Sequence, residues 1–285
     1  MSKKNIFKLL NTQNSHWYFI KNEDFPDGAN LPSVTNVLDC FPNSGLRFWL
    51  ENTSPEEIKQ KQEDGKIQGS KLHHACFLLS GGEIIDPNIG LTKEQIYKLP
   101  LETSDDKQKD DELLNYLLQP FTIRENNGII GFNNYWDEFK PVVVAREMQV
   151  YHKALRYAGT LDAIQYLWNK KEKKYEAWLI DYKISNQHSL AYELQLVSYY
   201  KALCKMYNRN FKLRLGILYL AKSTKKKFQL KEVIDKKEAW DNFILTKKLW
   251  HATNKNAEPK EEKPKEKISV DISFKMKGRK IKLNK

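Results

Sequence analysis

A chain of 285 residues with 40% hydrophobic and 12% aromatic side chains can bury one large core or two small ones, so it should be globular. Lys and Arg number 48 against 36 Asp and Glu; the resulting +12 suits polyanions such as nucleic acid, although a Lys- and Asn-rich composition alone produces the same balance. Three scattered cysteines, Cys40, Cys76 and Cys204, exclude a disulfide framework and a Cys-x-x-Cys metal site.

The first twenty residues are polar and mixed, lack the apolar centre of a secretory signal, and lack the Arg residues of a mitochondrial leader. No stretch approaches the roughly 20 apolar residues of a membrane helix. The expectation is a cytoplasmic protein, of a bacterial or phage-infected cell, with no membrane partner. Leu31 to Leu38 reads as a turn and then a helix that Ser33 or Thr35 caps. An aromatic and basic run follows, Leu46-Arg47-Phe48-Trp49-Leu50. Ser54-Pro55-Glu56-Glu57 starts a helix, with Pro at its first position and acids in its first turn. A further helix, beginning near Gly65, carries Gly69, Leu72, His73, Ala75, Cys76 and Leu79 and stops at Gly81-Gly82. With candidates at Leu91 to Leu99, Asp110 to Leu118 and Phe132 to Phe139, the pattern predicts a helical portion over about residues 31–140.

Strands begin after Pro141. Val142-Val143-Val144 leads through Glu147 to Val150, and Tyr157 to Tyr166 and Tyr175 to Lys183 follow, the last two joined by the charged turn at Asn169 to Lys174. That is an antiparallel meander of three strands. A helix from Ser189 to Tyr207, a strand from Leu213 to Leu220, a basic hairpin tip at Lys222 to Lys227, a short strand to Leu230 and a helix from Asp235 to about His251 complete the pattern. Residues 255–285 shift to Lys, Glu and Pro and read as a flexible basic tail, whose run Phe274 to Lys280 is either a solvated charge run or an arm for nucleic acid.

The chemistry gathers at a few places. Asp181 and Lys183 stand two apart on a strand and project from one face, where an acid can hold a cation and an amine can meet a phosphate. Asp162 begins the neighbouring strand nineteen residues earlier, a spacing at which a hairpin brings the two carboxylates together. Such a pair repels, and Mg²⁺ or Mn²⁺ would relieve it. His73 and His74 point about 100° apart, so only one faces a given site. Gly69, on the same face as His73, allows close approach of another backbone and favours His73. Glu147 lies upstream on the first strand, and Gln195 and Tyr199 share a helix face at i, i+4. Trp49, Tyr135 and Trp136 can either stack on bases or pack in a core.

In order, the segments LPSVTNVL (Leu31 to Leu38), GSKLHHA (Gly69 to Ala75), Glu147, GTLDAI (Gly159 to Ile164), LIDYKIS (Leu179 to Ser185) and LQLVSYYKAL (Leu194 to Leu203) resemble the PD-(D/E)xK nuclease superfamily, specifically its RecB-like branch, which includes phage-type exonucleases and the mitochondrial genome maintenance exonuclease. The resemblance spans roughly Leu31 to Leu203. It implies a restriction-endonuclease-like α/β core, a central mixed sheet flanked by helices, with a helical N-terminal portion. Residues 1–254 then form one domain, whose catalytic sheet begins at about residue 141. It also implies that His73, Asp162, Asp181 and the backbone carbonyl of Tyr182 hold Mg²⁺ or Mn²⁺, that Lys183 aligns or deprotonates the attacking water, that Gln195 and Tyr199 hold Lys183 or a phosphate, and that Glu147 supports the metal. The implied activity is a metal-dependent deoxyribonuclease acting as an exonuclease on DNA ends or single strands. The alternatives are a catalytically inactive nucleic-acid binder on the same scaffold and a structure-specific endonuclease. Relatives in this branch with an iron–sulfur cluster use four cysteines, so no such cluster is expected here.

Overall fold

The computed structural model, which describes residues 6–11, 16–41, 53–101, 107–185, 188–254 and 257–259, divides the chain between two sheets and the helices around them. Strands β1 (Ile6–Asn11), β2 (His16–Lys21) and β3 (Ala29–Pro32) form a three-stranded antiparallel sheet that precedes the predicted helices. The sequence pattern did not announce it. β2 is buried on both sides, Trp17 against Trp250 at a ring separation of 5.8 Å and Tyr18 with Ile20 in a small core of their own. A strand buried on both faces loses the polar–apolar alternation by which strands are recognised.

Helix α1 (Val34–Leu38) follows, with Ser33 accepting the Asn36 N–H at 3.0 Å. The two helices expected on either side of Gly65 are one, α2 (Pro55–Leu79), 25 residues long, with Ser54 as its cap. An interior glycine costs a helix about 1 kcal/mol, which the packing of Leu72, Ala75, Cys76 and Leu78 overrides. α3 (Lys93–Ile96) is a single turn, and α4 (Lys107–Leu118) follows. α5 (Ile123–Phe139) starts nine residues before the expected Phe132, because Thr122 and Glu125 form a reciprocal capping box. The Thr-x-x-Glu signature of that box was present in the sequence.

Beyond Pro141 the expected order holds. β4 (Val142–His152), β5 (Tyr157–Asn169) and β6 (Lys174–Lys183) are antiparallel neighbours, and α6 (Leu190–Met206) crosses to β7 (Arg214–Leu220), which pairs parallel to β6. β8 (Phe228–Glu232) pairs antiparallel to β7, and α7 (Lys236–Thr253) closes the chain. The result is an α/β fold on a mixed sheet of order β4-β5-β6-β7-β8. One core joins the sheet to α2, α4 and α5; the other joins it to α1, α6 and α7. No helix among the described residues is long and apolar enough to cross a membrane. The run at 46–50, with Trp49, and the tail beyond residue 259 lie outside the described residues.

The position of α2 is set just before His73. Lys71 is fully buried and donates to the carbonyls of Gln119 (2.7 Å) and Pro120 (3.2 Å), above the Phe121 ring. Burial depresses its pKa while the buried Glu125 opposes the shift. At the crossing of α2 with α5, a Cβ added to Gly128 would meet Leu72 Cδ2 at 2.4 Å, inside a fully buried contact. Gly128→Ala should therefore destabilise the fold by about 1–3 kcal/mol, the cost of overpacking a core. Urea unfolding checks this; an unchanged midpoint would show that the helices can part freely.

Candidate active site

The ladder between β5 and β6 ends at Ala163 opposite Ile180. Continued by one step it would pair Asp162 with Asp181, and there the strands part. The Tyr182 N–H goes instead to Asp162 Oδ2, at 2.6 Å. At the same level β5 exchanges cores: Tyr157 and Leu161 pack with α6 and α7, whereas Ala163 and Leu167 pack with α2 and α5. β4 does the same, since Arg146 reaches the Phe77 carbonyl of α2 at 2.8 Å while Met148 and Val150 pack with α6. Alternating side chains cannot change sides in a regular strand. The residue between Arg146 and Met148 is Glu147, whose φ of 45° lies in the left-handed region, a conformation that costs a non-glycine residue on the order of 1 kcal/mol or more. The distal half of the β4–β5 hairpin thus turns away from β6 and opens the mouth in which Asp162 and Asp181 sit.

Into this mouth α2 delivers His73. Its Nδ1 lies 3.6 Å from Asp162 Oδ2, and one ligand atom each from His73, Glu147 and Asp162 fall within 4.8 Å of one another. His74 faces elsewhere, within 3.3 Å of Ser70 Oγ one turn back. The choice of His73 over His74 thus agrees with the sequence reading, but its stated reason does not. Among the described residues, no atom lies within 4 Å of a side chain added at Gly69, so no backbone approaches there.

Asp181 stands outside the three-residue set but acts on it. It is 1% exposed, and Lys183 Nζ lies 2.7 Å from its Oδ2 as an ion pair. Among the described residues, the buried oxygens of Asp181 have no hydrogen-bond donor besides that ammonium. Burial lifts the Asp181 carboxyl to about 6, Lys183 pulling it down and Asp162 pushing it further up. Asp162 is likewise raised to about 6 by burial, against the pull of Lys183 and the Tyr182 N–H. Burial works against the charge of Lys183, but the two carboxylates outweigh it and hold the ammonium above its usual range. Burial and Lys183 hold His73 below the ordinary histidine range, so at neutral pH the imidazole keeps a free lone pair.

The remaining candidates lie around this centre. Gln195 Nε2 donates to the Tyr199 hydroxyl at 3.0 Å, so the two meet each other across one helical turn. The Tyr199 ring packs on β5, where a Cβ on Gly159 would stand 2.3 Å from its Cε1. Tyr182 turns its ring into the α2–α5 core, edge-on to Phe132, leaving its backbone between the two acids. Of the rings weighed for base stacking, Tyr135 is fully buried and donates to Gln165 at 2.6 Å, and Trp136 packs on Phe132; both are core residues. The sequence reading missed Tyr192, whose ring centroid lies 5.2 Å from Lys183 Nζ. Its only signal was a place three residues before Gln195 on the same helix face.

The donor set suits a hard or borderline divalent cation. One neutral imidazole converges with carboxylate oxygens of Glu147 and Asp162, and the buried Asp181 beside them is destabilised by the charge of Asp162. No protein-family model matches this sequence, and a comparison with curated proteins returned no match.

The raised carboxyls fix a sign for stability in metal-free protein. Unfolded Asp titrates near 3.8 and the folded pair near 6, so between these values the folded state holds more protons and loses stability as pH rises. Asp181→Asn should therefore stabilise the protein in EDTA at pH 7.5, by roughly 1.4 kcal/mol more than at pH 5. Paired urea titrations read this difference. A gain independent of pH would mean that Asp181 is not buried as a strained carboxylate.

Proposed function

We propose that the chain is a divalent-metal-dependent nuclease that hydrolyses DNA phosphodiester bonds, acting as an exonuclease on ends or single strands. The observation that carries this reading is the buried Asp181 carboxylate, which among the described residues meets no donor but the Lys183 ammonium at 2.7 Å, set near Asp162, Glu147 and His73. A purely structural acid would be satisfied by donors, as Glu125 is by the Thr122 N–H (2.7 Å) and the Tyr116 hydroxyl (2.9 Å).

His73, Asp162 and Asp181 would hold the ion, with the Tyr182 carbonyl and Glu147 in support. Mg²⁺ or Mn²⁺ bound there supplies Lewis acidity toward a phosphoryl oxygen and lowers the pKa of a bound water. Lys183 remains protonated beside Asp181, so it serves as an electrostatic partner that orients water and offsets charge building on the phosphoryl oxygens. Tyr192 lies beside that ammonium and narrows its rotamers. Gln195 fixes the Tyr199 hydroxyl, and Tyr199 props β5 at Gly159, three residues before Asp162. Through these contacts the pair supports the position of Asp162. The formal charge of +12 supplies the general attraction to a polyanion.

End-labelled single- and double-stranded DNA incubated with the protein in Mg²⁺, Mn²⁺ or EDTA should be shortened from its ends, with no cleavage in EDTA. Asp181→Ala and Lys183→Ala should each lower the rate by at least ~100-fold while retaining DNA binding. His73→Ala should shift the Mn²⁺ activation curve far more than His74→Ala. Wild-type rates in the Asp181 and Lys183 variants would sink the site. Binding without cleavage by the wild type would leave a non-catalytic binder on this scaffold.

A further inference from the structure

A second unbalanced charge lies at the far end of the β4–β5 hairpin. On α7, Trp240, Phe243, Ile244, Lys247 and Trp250 follow the i, i+3, i+4, i+7 spacing of a buried stripe. Lys247 stands where that stripe calls for an apolar side chain, and it is 7% exposed. Among the described residues it has no carboxylate or carbonyl partner. Lys71, the other buried lysine, shows what a structural role looks like, with two carbonyl acceptors and Glu125 nearby.

The neighbours of Lys247 add charge of the same sign. Arg156, in the hairpin turn, acts on it directly, and Lys201 and Lys205, one turn apart on α6, join Lys247 in acting on His152. His152 stacks on Trp240 at 6.2 Å, and Lys201 Nζ lies over that same indole at 5.6 Å. The Leu155 N–H donates to His152 Nδ1 at 3.2 Å, which leaves Nε2 as the outward donor of the neutral ring. Asp24, an acid on which Lys205 acts, is already engaged by Lys153 (2.8 Å) and the Tyr151 hydroxyl (2.8 Å). The Lys247 stem is buried while its ammonium reaches solvent, and Arg156 and Lys205 are exposed around it, so an anion can reach the group.

We infer that Lys247, Arg156, Lys201, Lys205 and His152 form a phosphate-binding site that engages a backbone phosphate of a nucleic-acid strand away from the cleavage centre. The site lies five residues along the hairpin from Glu147 and Asp162, roughly 16 Å at 3.3 Å per residue. That distance corresponds to about five phosphates along one strand of a duplex at 3.4 Å each. Its link to cleavage rests on the nuclease reading; its affinity for phosphate does not.

The test uses the full chain and Lys247→Met, which suits the apolar stripe, together with Lys201→Ala/Lys205→Ala at positions nearer the surface. Binding of a fluorescent 20-nucleotide single strand is measured in Ca²⁺ across a salt series, and inorganic phosphate is titrated separately. Lys247→Met should weaken oligonucleotide binding by about 10-fold and flatten the log–log salt slope by about 0.7, one single-strand phosphate contact. Its melting temperature should hold or rise, because a partly desolvated charge repelled by Arg156 has been replaced by an apolar side chain in a buried stripe; a merely structural lysine would lose stability and affinity together. The surface pair should weaken binding in the same direction. Cleavage of a dinucleotide, too short to reach the site, should be unchanged in both variants. Unaltered oligonucleotide affinity and slope in Lys247→Met would overturn the site, and loss of inorganic phosphate binding alone would overturn its assignment to a nucleic-acid backbone. A wild-type chain that cuts nothing but binds the oligonucleotide through Lys247 would refute the nuclease reading and leave this site standing.

Discussion

Two aspartates buried side by side, with one lysine between them and water, set the terms for the rest of this molecule. Each is lifted toward neutrality by the loss of solvent, each repels the other, and Lys183 offsets only part of the combined charge. Such an arrangement lowers stability in isolation. It persists because the surrounding elements are anchored independently: β6 and β7 run parallel through the middle of the sheet, and a packed core lies on each side. The acids are therefore held by strands that cannot relax without disrupting both cores.

The same constraint accounts for the irregular backbone around them. β4 carries a register shift between Val143 and Ala145 and then a left-handed residue at Glu147. Together they bend the hairpin so that β5 leaves β6 at the level of Asp162 and joins α6 instead. Without that departure the Tyr182 N–H would sit in a ladder with a strand backbone; as it is, the amide meets the Asp162 side chain. Strain at Glu147 and the meeting of the Tyr182 N–H with the Asp162 side chain are two consequences of one bend.

Buried charges in this chain fall into two groups. Lys71 and Glu125 are surrounded by acceptors and donors and fix how α2 crosses α5. Asp181 meets only the Lys183 ammonium beside a second carboxylate, and Lys247 has a buried stem near a charge of its own sign. A folded protein retains the first kind for its own stability. It retains the second kind at some cost, which a cation beside Asp181 or an anion beside Lys247 would offset.

Much of this was written in local pattern. The strand order after Pro141, the crossover helix and its Ser189 cap, and the closing helix follow from runs of β-branched and aromatic residues between charged turns, signals that depend on near neighbours. The spacing of Asp181 and Lys183, and the angular separation of His73 from His74, also follow from strand and helix geometry. Other features were beyond such reading. The first sheet is hidden because β2 is buried on both sides, and Gly65 suggested a break that core packing suppresses. The partnership of Tyr192 with Lys183 depends on how α6 docks, and the gathering of Lys247 with Arg156 and Lys201 depends on three elements distant in sequence. Periodicity reports which face of an element is apolar, but which charges meet across elements is decided only by the way those faces pack.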